Sequence, residues 1–163
     1  IGENMSEKSY ITKEMNDHIG IETTLGSVEI EKGAIIKFAQ AIGDENPLFQ
    51  EESIAKESYT NGIIAPPTFL RSVDAACALT NTESKVDIIP EYFNARVDGG
   101  SEWEYFGHIR PGDTITVSKM IQNLFERSGR MGEMLFVVSL IKYVNQLDEL
   151  IATQTTTGIC YRA

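Results

Sequence analysis

Asp44, Asn46 and Pro47 fall within the run Asp44-Glu45-Asn46-Pro47-Leu48-Phe49, where a carboxylate beside a carboxamide is a candidate acid/base constellation. A carboxylate moves protons well when its pKa has been tuned towards the working pH, or when an imidazole shares the task. The chain holds two imidazoles, His18 and His108, and neither is adjacent to Asp44 in sequence. An isolated aspartate, with a reference pKa of about 3.9, is a poor base at neutral pH. Asp44 therefore reads in two ways: as a catalytic carboxylate, or as one that stabilises a turn through its own backbone. Asn46 divides similarly between ligand binding and capping the turn. His108 reads as a solvated or locally bonded side chain rather than a relocated base, and His18 carries still less signal.

The elements that must position these residues follow from apolar spacing. From Glu31 onward, Ile35, Phe38, Ala39 and Ile42 recur at three- and four-residue intervals, which predicts a helix. Gly43 ends it, since glycine takes the positive φ of a helix terminus. A weaker helical stretch over 51–59 closes on the turn dipeptide Asn61-Gly62. Pro66-Pro67 then punctuates the chain, because neither residue can donate a backbone hydrogen bond. A second helix is expected from about Thr68 to Leu79. It is apolar or small on nearly every face (Phe69, Leu70, Val73, Ala75 to Ala78), the pattern of a buried helix that a sheet can approach closely.

The second half reads as strands. Phe93 to Val97 and Glu102 to Phe106 flank Asp98-Gly99-Gly100, where paired glycines suggest a bulge or bend. Thr114 to Phe125, Met134 to Val144 and Leu150 to Tyr161 follow, separated by turns over 128–132 and 146–149. Each is about twice the usual strand length of roughly 5–6 residues, so they must curve. One buried helix followed by a meander of long antiparallel strands implies an α+β chain, organised as a single domain over residues 1–163. The first ten residues show no period and are expected to be flexible. Met5 is expected to mark the natural start, with Ile1 to Asn4 a cloning remnant.

Composition excludes several function classes. Fourteen basic against 24 acidic side chains leave a net charge of −10, which repels nucleic acid and anionic membranes. No apolar run approaches the roughly 20 residues needed to span a bilayer, and no secretory signal opens the chain, so a soluble, cytoplasmic protein is expected. Cys77 and Cys160 lie in apolar segments without metal-ligand spacing. No metal is expected.

Three segments together carry a resemblance to a known family: Phe38-Ala39-Gln40-Ala41 through Asp44 and Asn46-Pro47; Ile63-Ile64-Ala65-Pro66-Pro67-Thr68-Phe69; and Gly99 to Asp113, ending in Pro111-Gly112-Asp113. The chain resembles the MaoC-like hydratases and dehydratases of acyl thioesters, and within them the FAS1-like, N-terminal type that carries Ala-Pro-Pro-Thr-Phe where catalytic chains carry His-Gly. The resemblance implies a hot-dog fold, in which a curved antiparallel sheet wraps a long central helix. Catalytic relatives carry Asp-x-Asn-Pro-x-His, in which carboxylate and imidazole hold and deprotonate a water. At the histidine position this chain has Phe49. A donor to the thioester carbonyl would come from an N–H in the His-Gly segment, and proline at the matching place has none.

On this resemblance no residue of the chain is expected to be catalytic, and Asp44 is a vestige of the pair. Asn46, Phe49, Ala65, Pro66, Thr68 and Phe69 are the expected substrate-binding residues, with Phe49 facing the acyl pocket or a partner. The implied reaction is addition of water to a trans-2-enoyl thioester, giving the (R)-3-hydroxyacyl thioester, with no metal or redox cofactor and acyl-CoA as substrate. A CoA phosphate would need Arg71, Arg96, Arg110, Arg127 or Arg130. The implied partner is a catalytic hot-dog chain in a heterodimer or heterotetramer, or a second copy in a homodimer, because a double hot dog needs about twice this length.

Two alternatives remain open. One is a self-sufficient enzyme, either a hydratase with a shifted base or an acyl-CoA thioesterase using Asp74, although Arg71 three residues earlier suggests a simple helical ion pair. The other is a homodimeric module that only binds acyl chains or CoA. The aromatic strand around Trp103 and Glu104 reads as interface before acyl tunnel.

Overall fold

The computed structural model describes residues 9–80, 89–130 and 132–163. The chain order is α1 (Lys13–Asp17), β1 (Glu22–Glu29), α2 (Lys32–Ala41), α3 (Glu52–Glu57), α4 (Leu70–Thr80), β2 (Ala95–Tyr105), β3 (Thr114–Gly129), β4 (Gly132–Val144) and β5 (Leu150–Tyr161), with single 3₁₀ turns at Pro47–Phe49 and Pro67–Phe69. The five strands form one antiparallel sheet in the order β1-β3-β4-β5-β2. Among the described residues no helix is long and apolar enough to cross a membrane.

Strand length governs the packing. β3 has 16 residues and extends roughly 50 Å at about 3.3 Å per residue. α4 has 11 residues and covers only about 16 Å at 1.5 Å per residue. One helix therefore shields part of the sheet. Under it, Leu70, Val73 and Cys77 meet Ile115 and Val117 of β3, Ile141 and Tyr143 of β4, and Ile151 and Ala152 of β5. The far end of the sheet forms a second cluster, where Ile121, Leu124, Leu135, Val137 and Cys160 are covered by Met15, Phe93, Tyr10 and Tyr92. Along β4 the alternation is regular, with Leu135, Val137, Ser139, Ile141 and Tyr143 all turned inward. This is the hot-dog fold, helix against curved sheet.

Several expectations need adjustment. β1 and α1 were not legible in the sequence. β2 is one continuous 11-residue strand rather than two short ones, and the paired glycines do mark a bulge, since its register on β5 shifts between Asp98 and Gly100. α4 is buried on one side only: Ala75 and Ala78 are exposed, because side chains this small make an apolar face without forcing its burial, and Leu79 near the helix end is 82% exposed. Of the ten residues expected to be flexible, 1–8 lie outside the described residues, but Ser9 donates to Glu126 of β3 at 2.9 Å. Tyr10 also stacks on Tyr92 with ring centroids 4.2 Å apart. The helix ending at Gly43 (φ +71°) and the turn at Asn61 (φ +52°) stand where the sequence placed them.

The bulge in β2 depends on a missing side chain. A Cβ at Gly99 would lie 2.9 Å from two carbons of Ile159 and 3.0 Å from the Thr157 carbonyl oxygen, whereas a Cβ at Gly33, in α2, would meet nothing within 4 Å. Gly99→Ala should therefore destabilise the protein by about 1–3 kcal/mol through overpacking, and Gly33→Ala should stabilise it by about 0.5 kcal/mol. Urea unfolding midpoints of the two variants check the opposite signs.

Candidate functional site

One oxygen of the Asp44 carboxylate bonds its own turn. The Asp44 N–H caps the end of α2 by donating to the Ala39 carbonyl, five residues back, at 2.9 Å, and Asp44 Oδ1 accepts from the Asn46 N–H at 3.0 Å. Asn46 repeats the device, its Oδ1 accepting from the Leu48 N–H at 3.1 Å, which caps the turn Pro47–Phe49. Gln50 Nε2 closes the loop on the Asp44 carbonyl at 2.6 Å. Asp44 and Asn46 each thus make, through one side-chain oxygen, the backbone bond that stabilises the turn.

Neither imidazole reaches this carboxylate. His18, at the end of α1, places Nδ1 2.8 Å from the Glu14 carbonyl oxygen. His108 lies beside Tyr59, with ring centroids 6.2 Å apart. No hydrogen bond joins either to Asp44 among the described residues. Phe49 is 7% exposed and packs with Ala39, Ile64 and Leu48 in a small apolar cluster, and the Ile64 N–H donating to the Leu48 carbonyl at 3.2 Å fastens the loop to the segment that leads into α4.

The remaining candidate residues separate between two recesses. Ala65 and Pro66 line a cleft of about 380 Å³ together with Pro67, Tyr105, Phe106, Gly107, His108, Ile109 and Ile151. The Ala65 N–H is occupied by the Ile109 carbonyl at 2.9 Å, and the next two residues are prolines, so this wall offers no backbone donor until Thr68. Tyr105 donates its hydroxyl to the Pro67 carbonyl at 3.2 Å. Phe69 instead lines a cavity of about 410 Å³ between β1, α2 and α4. Phe49, Asn46 and Thr68 line neither recess, and Thr68 is exposed.

The arginines named for a CoA phosphate do not converge. Arg71 pairs with Asp74 at 3.0 Å, Arg110 donates to the Thr60 carbonyl at 2.6 Å, Arg96 lies over Gly158 of β5, and Arg127 stacks on Phe125 and Phe136. Arg130 is exposed beyond the end of β3.

A polar chain under α4 is the feature that sequence reasoning missed. Asp74 makes the expected pair with Arg71, but its Oδ1 also accepts from the hydroxyl of the fully buried Tyr143 at 2.7 Å. The Tyr143 hydroxyl stands 3.2 Å from Gln154 Oε1, Gln154 Nε2 donates to Ser101 Oγ at 2.9 Å, and Ser101 donates to Thr156 Oγ1 at 3.2 Å. Trp103, half-buried, stacks on Tyr143 at 5.6 Å and packs against the edge of the core. Burial pushes the Asp74 carboxyl above its ordinary value, outweighing the Tyr143 hydrogen bond and the Arg71 charge that oppose the shift. Burial and the Asp74 charge likewise push the Tyr143 phenol far upward.

Fold and site together define a class: a chain of the hot-dog fold, with α4 packed on a five-stranded antiparallel sheet and a buried phenylalanine, Phe49, closing the loop at Asp44. The chain belongs to the FAS1-like, dehydratase domain region family, whose model matches residues 17–154. It is similar to a Thermomonospora curvata protein named "Probable enoyl-CoA hydratase alpha subunit", 26% identical over 144 residues that cover 82% of this chain and 45% of that protein. The chain thus spans less than half the length of this relative. In structure it is similar to the MaoC-like dehydratase of Rhodospirillum rubrum (TM-score 0.71, 19% identity, 89% of this chain and 93% of that one). It is also similar to the HadBC (3R-hydroxyacyl-ACP dehydratase) complex of Mycobacterium tuberculosis (TM-score 0.71, 21% identity, 88% and 97%).

The raised Asp74 pKa has a signed consequence. Below the ordinary value of 3.8 the carboxyl is protonated in both folded and unfolded chains and costs nothing. As pH rises past that value the unfolded chain ionises first, and stability falls until the folded pKa is passed. An Asp74→Asn variant lacks this loss, so its stability relative to wild type should grow as pH rises from about 4. Urea unfolding at a series of pH values tests it; a margin that shrinks as pH rises refutes the assignment.

Proposed function

We propose that this protein is the non-catalytic, substrate-shaping subunit of an (R)-specific 2-enoyl-thioester hydratase or 3-hydroxyacyl-thioester dehydratase, with an acyl-CoA as substrate and no metal or redox cofactor. The observation that carries the reading is the state of Asp44: its carboxylate is bonded to the Asn46 N–H, and the position three residues past Asn46 is a buried phenylalanine. Hydration of an enoyl thioester needs a base for water, an acid for the α-carbon and donors for the carbonyl. The base is missing, and the prolines at 66 and 67 withhold a donor.

A second hot-dog chain carrying Asp-x-Asn-Pro-x-His would supply what is absent. The surface proposed for it is the outer edge of β2, which is hydrogen-bonded to β5 on one side and has no strand on the other among the described residues. Near or along that edge Val97, Tyr105 and Phe106 are 47%, 45% and 58% exposed. Tyr105 and Phe106 also line the cleft at Pro66 and Pro67, so a chain docked there would complete the cleft's open side. That a similar structure is a complex of dehydratase chains supports the reading.

Purified alone, the chain should give no hydration of crotonyl-CoA or longer enoyl-CoA thioesters, while the complex with the proposed catalytic partner should hydrate them. Turnover by the lone chain that disappears in Asp44→Asn would overturn the proposal. Phe49→His should create no activity and should lower stability by about 1–3 kcal/mol, because it places a polar ring against Ala39, Ile64 and Leu48 with no partner. A hydration assay and a thermal melt on that single variant check both halves.

A further inference from the structure

Tyr143 and Gln154 are buried beneath α4, where no solvent relieves a mismatch between donors and acceptors. The phenol oxygen stands 2.7 Å from Asp74 Oδ1 and 3.2 Å from Gln154 Oε1. Both neighbours are acceptors, and a phenol has a single hydrogen to give. An ionised Asp74 takes that hydrogen, which leaves the phenol oxygen facing the amide oxygen with no hydrogen between them. A protonated Asp74 supplies the missing one. The acid then donates to Tyr143 and Tyr143 to Gln154 Oε1, while Gln154 Nε2 donates to Ser101 Oγ at 2.9 Å and Ser101 to Thr156 Oγ1 at 3.2 Å. Every contact in the line now holds a hydrogen, and all point from α4 towards the sheet edge.

The reverse order is equally complete. A half turn of the Gln154 amide brings Nε2 to the phenol oxygen, sends the phenol hydrogen to an ionised Asp74 and lets Oε1 accept from Ser101. The orientation of an amide on β5 is thereby tied to a proton on α4.

The groups around Asp74 bear on which form it holds. Arg71 reaches Oδ2 at 3.0 Å and favours the ionised form, but its side chain is 58% exposed and water screens it. On α4 itself the Cys77 thiol is buried. From β2, Tyr105 spends its hydroxyl on the Pro67 carbonyl. β3 places Lys119 two residues beyond Val117 on the same sheet face. β1 presents Gly26 to the helix, β5 presents Ala152, and the turn before α4 presents Phe69. Burial pushes the Asp74 carboxyl upward in spite of Arg71.

We infer that Asp74 and Gln154 form a two-position proton switch between α4 and the sheet edge: the carboxyl proton sets the direction of the hydrogen-bonded line, and its loss to water turns the Gln154 amide over. Ser101 lies on β2, the strand whose outer edge is the proposed docking surface, so the setting of the switch reaches that edge. This last consequence rests on the docking reading; the switch itself does not.

The test is an NMR pH titration of the full chain alone, labelled with carbon-13 and nitrogen-15. The Asp74 carboxyl carbon, assigned by its loss in Asp74→Asn, should titrate above the ordinary value of 3.8. Below that midpoint the Gln154 amide hydrogens should show nuclear Overhauser contacts to Ser101, and above it to the Tyr143 ring; in Asp74→Asn their neighbour should not change with pH. Gln154→Met leaves the acid form with a buried hydrogen that has no acceptor, so the Asp74 midpoint should fall by at least about 0.5. Amide hydrogens that keep one neighbour across the wild-type midpoint, or a midpoint unmoved or raised in folded Gln154→Met, would overturn the switch. If a thermal melt shows that variant unfolded, the wild-type contacts decide alone. No substrate or partner enters the titration, so its failure leaves the hydratase proposal standing, and the reverse.

Discussion

The docking of α4 on strands far longer than itself is the constraint from which the rest of the structure follows. A hydrophobic sheet face must be covered, and an 11-residue helix cannot cover a 16-residue strand. Leu70, Val73 and Cys77 close one half of the face. The other half is closed by an N-terminal segment with Met15 and Tyr10 and by the stretch with Tyr92 and Phe93. The bulge between Ile121 and Asn123 in β3 lies where the two coverings meet, and Ser139 on β4, paired with Ile121, is fully buried there with its hydroxyl unpartnered among the described residues. Such a seam is costly to bury and marks the boundary between two small cores.

The same constraint explains why polar groups sit beneath the helix. Asp74 is one turn from Leu70 and three residues from Cys77, so a carboxylate at that position faces the edge of the buried stripe. It is tolerated because Tyr143 and Arg71 both bond it, and Tyr143 is tolerated because Asp74 and Gln154 flank its hydroxyl. Removing one member strands the others in a medium where unpaired groups are expensive. A thioesterase carboxylate would need access to a substrate and water, whereas Asp74 has Arg71 on one oxygen and Tyr143 on the other. The geometry therefore favours a fixed structural role over hydrolysis.

What was legible in the sequence follows from how local the signal was. Gly43, Asn61-Gly62 and the turn over 146–149 are local devices, and each lies where composition indicated. β3 to β5 were legible because β-branched and aromatic residues recur along each between turns. β1 was not, since Glu-Thr-Thr-Leu-Gly-Ser-Val-Glu has few apolar residues and is an edge strand paired with β3 alone. Five-residue α1 is too short for any period. The Asp44 loop was legible down to its two alternatives, because bonds of an Asx turn span two residues. The Asp74–Tyr143 bond joins residues 69 positions apart, and Gln154 within Ala-Thr-Gln-Thr-Thr-Thr looks like a solvent face until the register on β4 places it inside. Both cavities belong to this second class, since they are made by elements distant in sequence.

Charge on β2 bears on which kind of chain can lie along its open edge. The strand Ala-Arg-Val-Asp-Gly-Gly-Ser-Glu-Trp-Glu-Tyr holds three carboxylates against one guanidinium, within a chain of net charge −10. Glu102 and Glu104 share one face by alternation and are exposed. Two copies paired antiparallel along this edge would bring three carboxylates from each into one ladder, and like charges opposed across strands are destabilising. A partner with lysine or arginine at the facing positions would turn the same repulsion into attraction and speed encounter. Acidic residues on an open edge also restrain unspecific strand addition. The edge proposed as the docking surface is thus better suited, by its charge, to a different chain than to a second copy of this one.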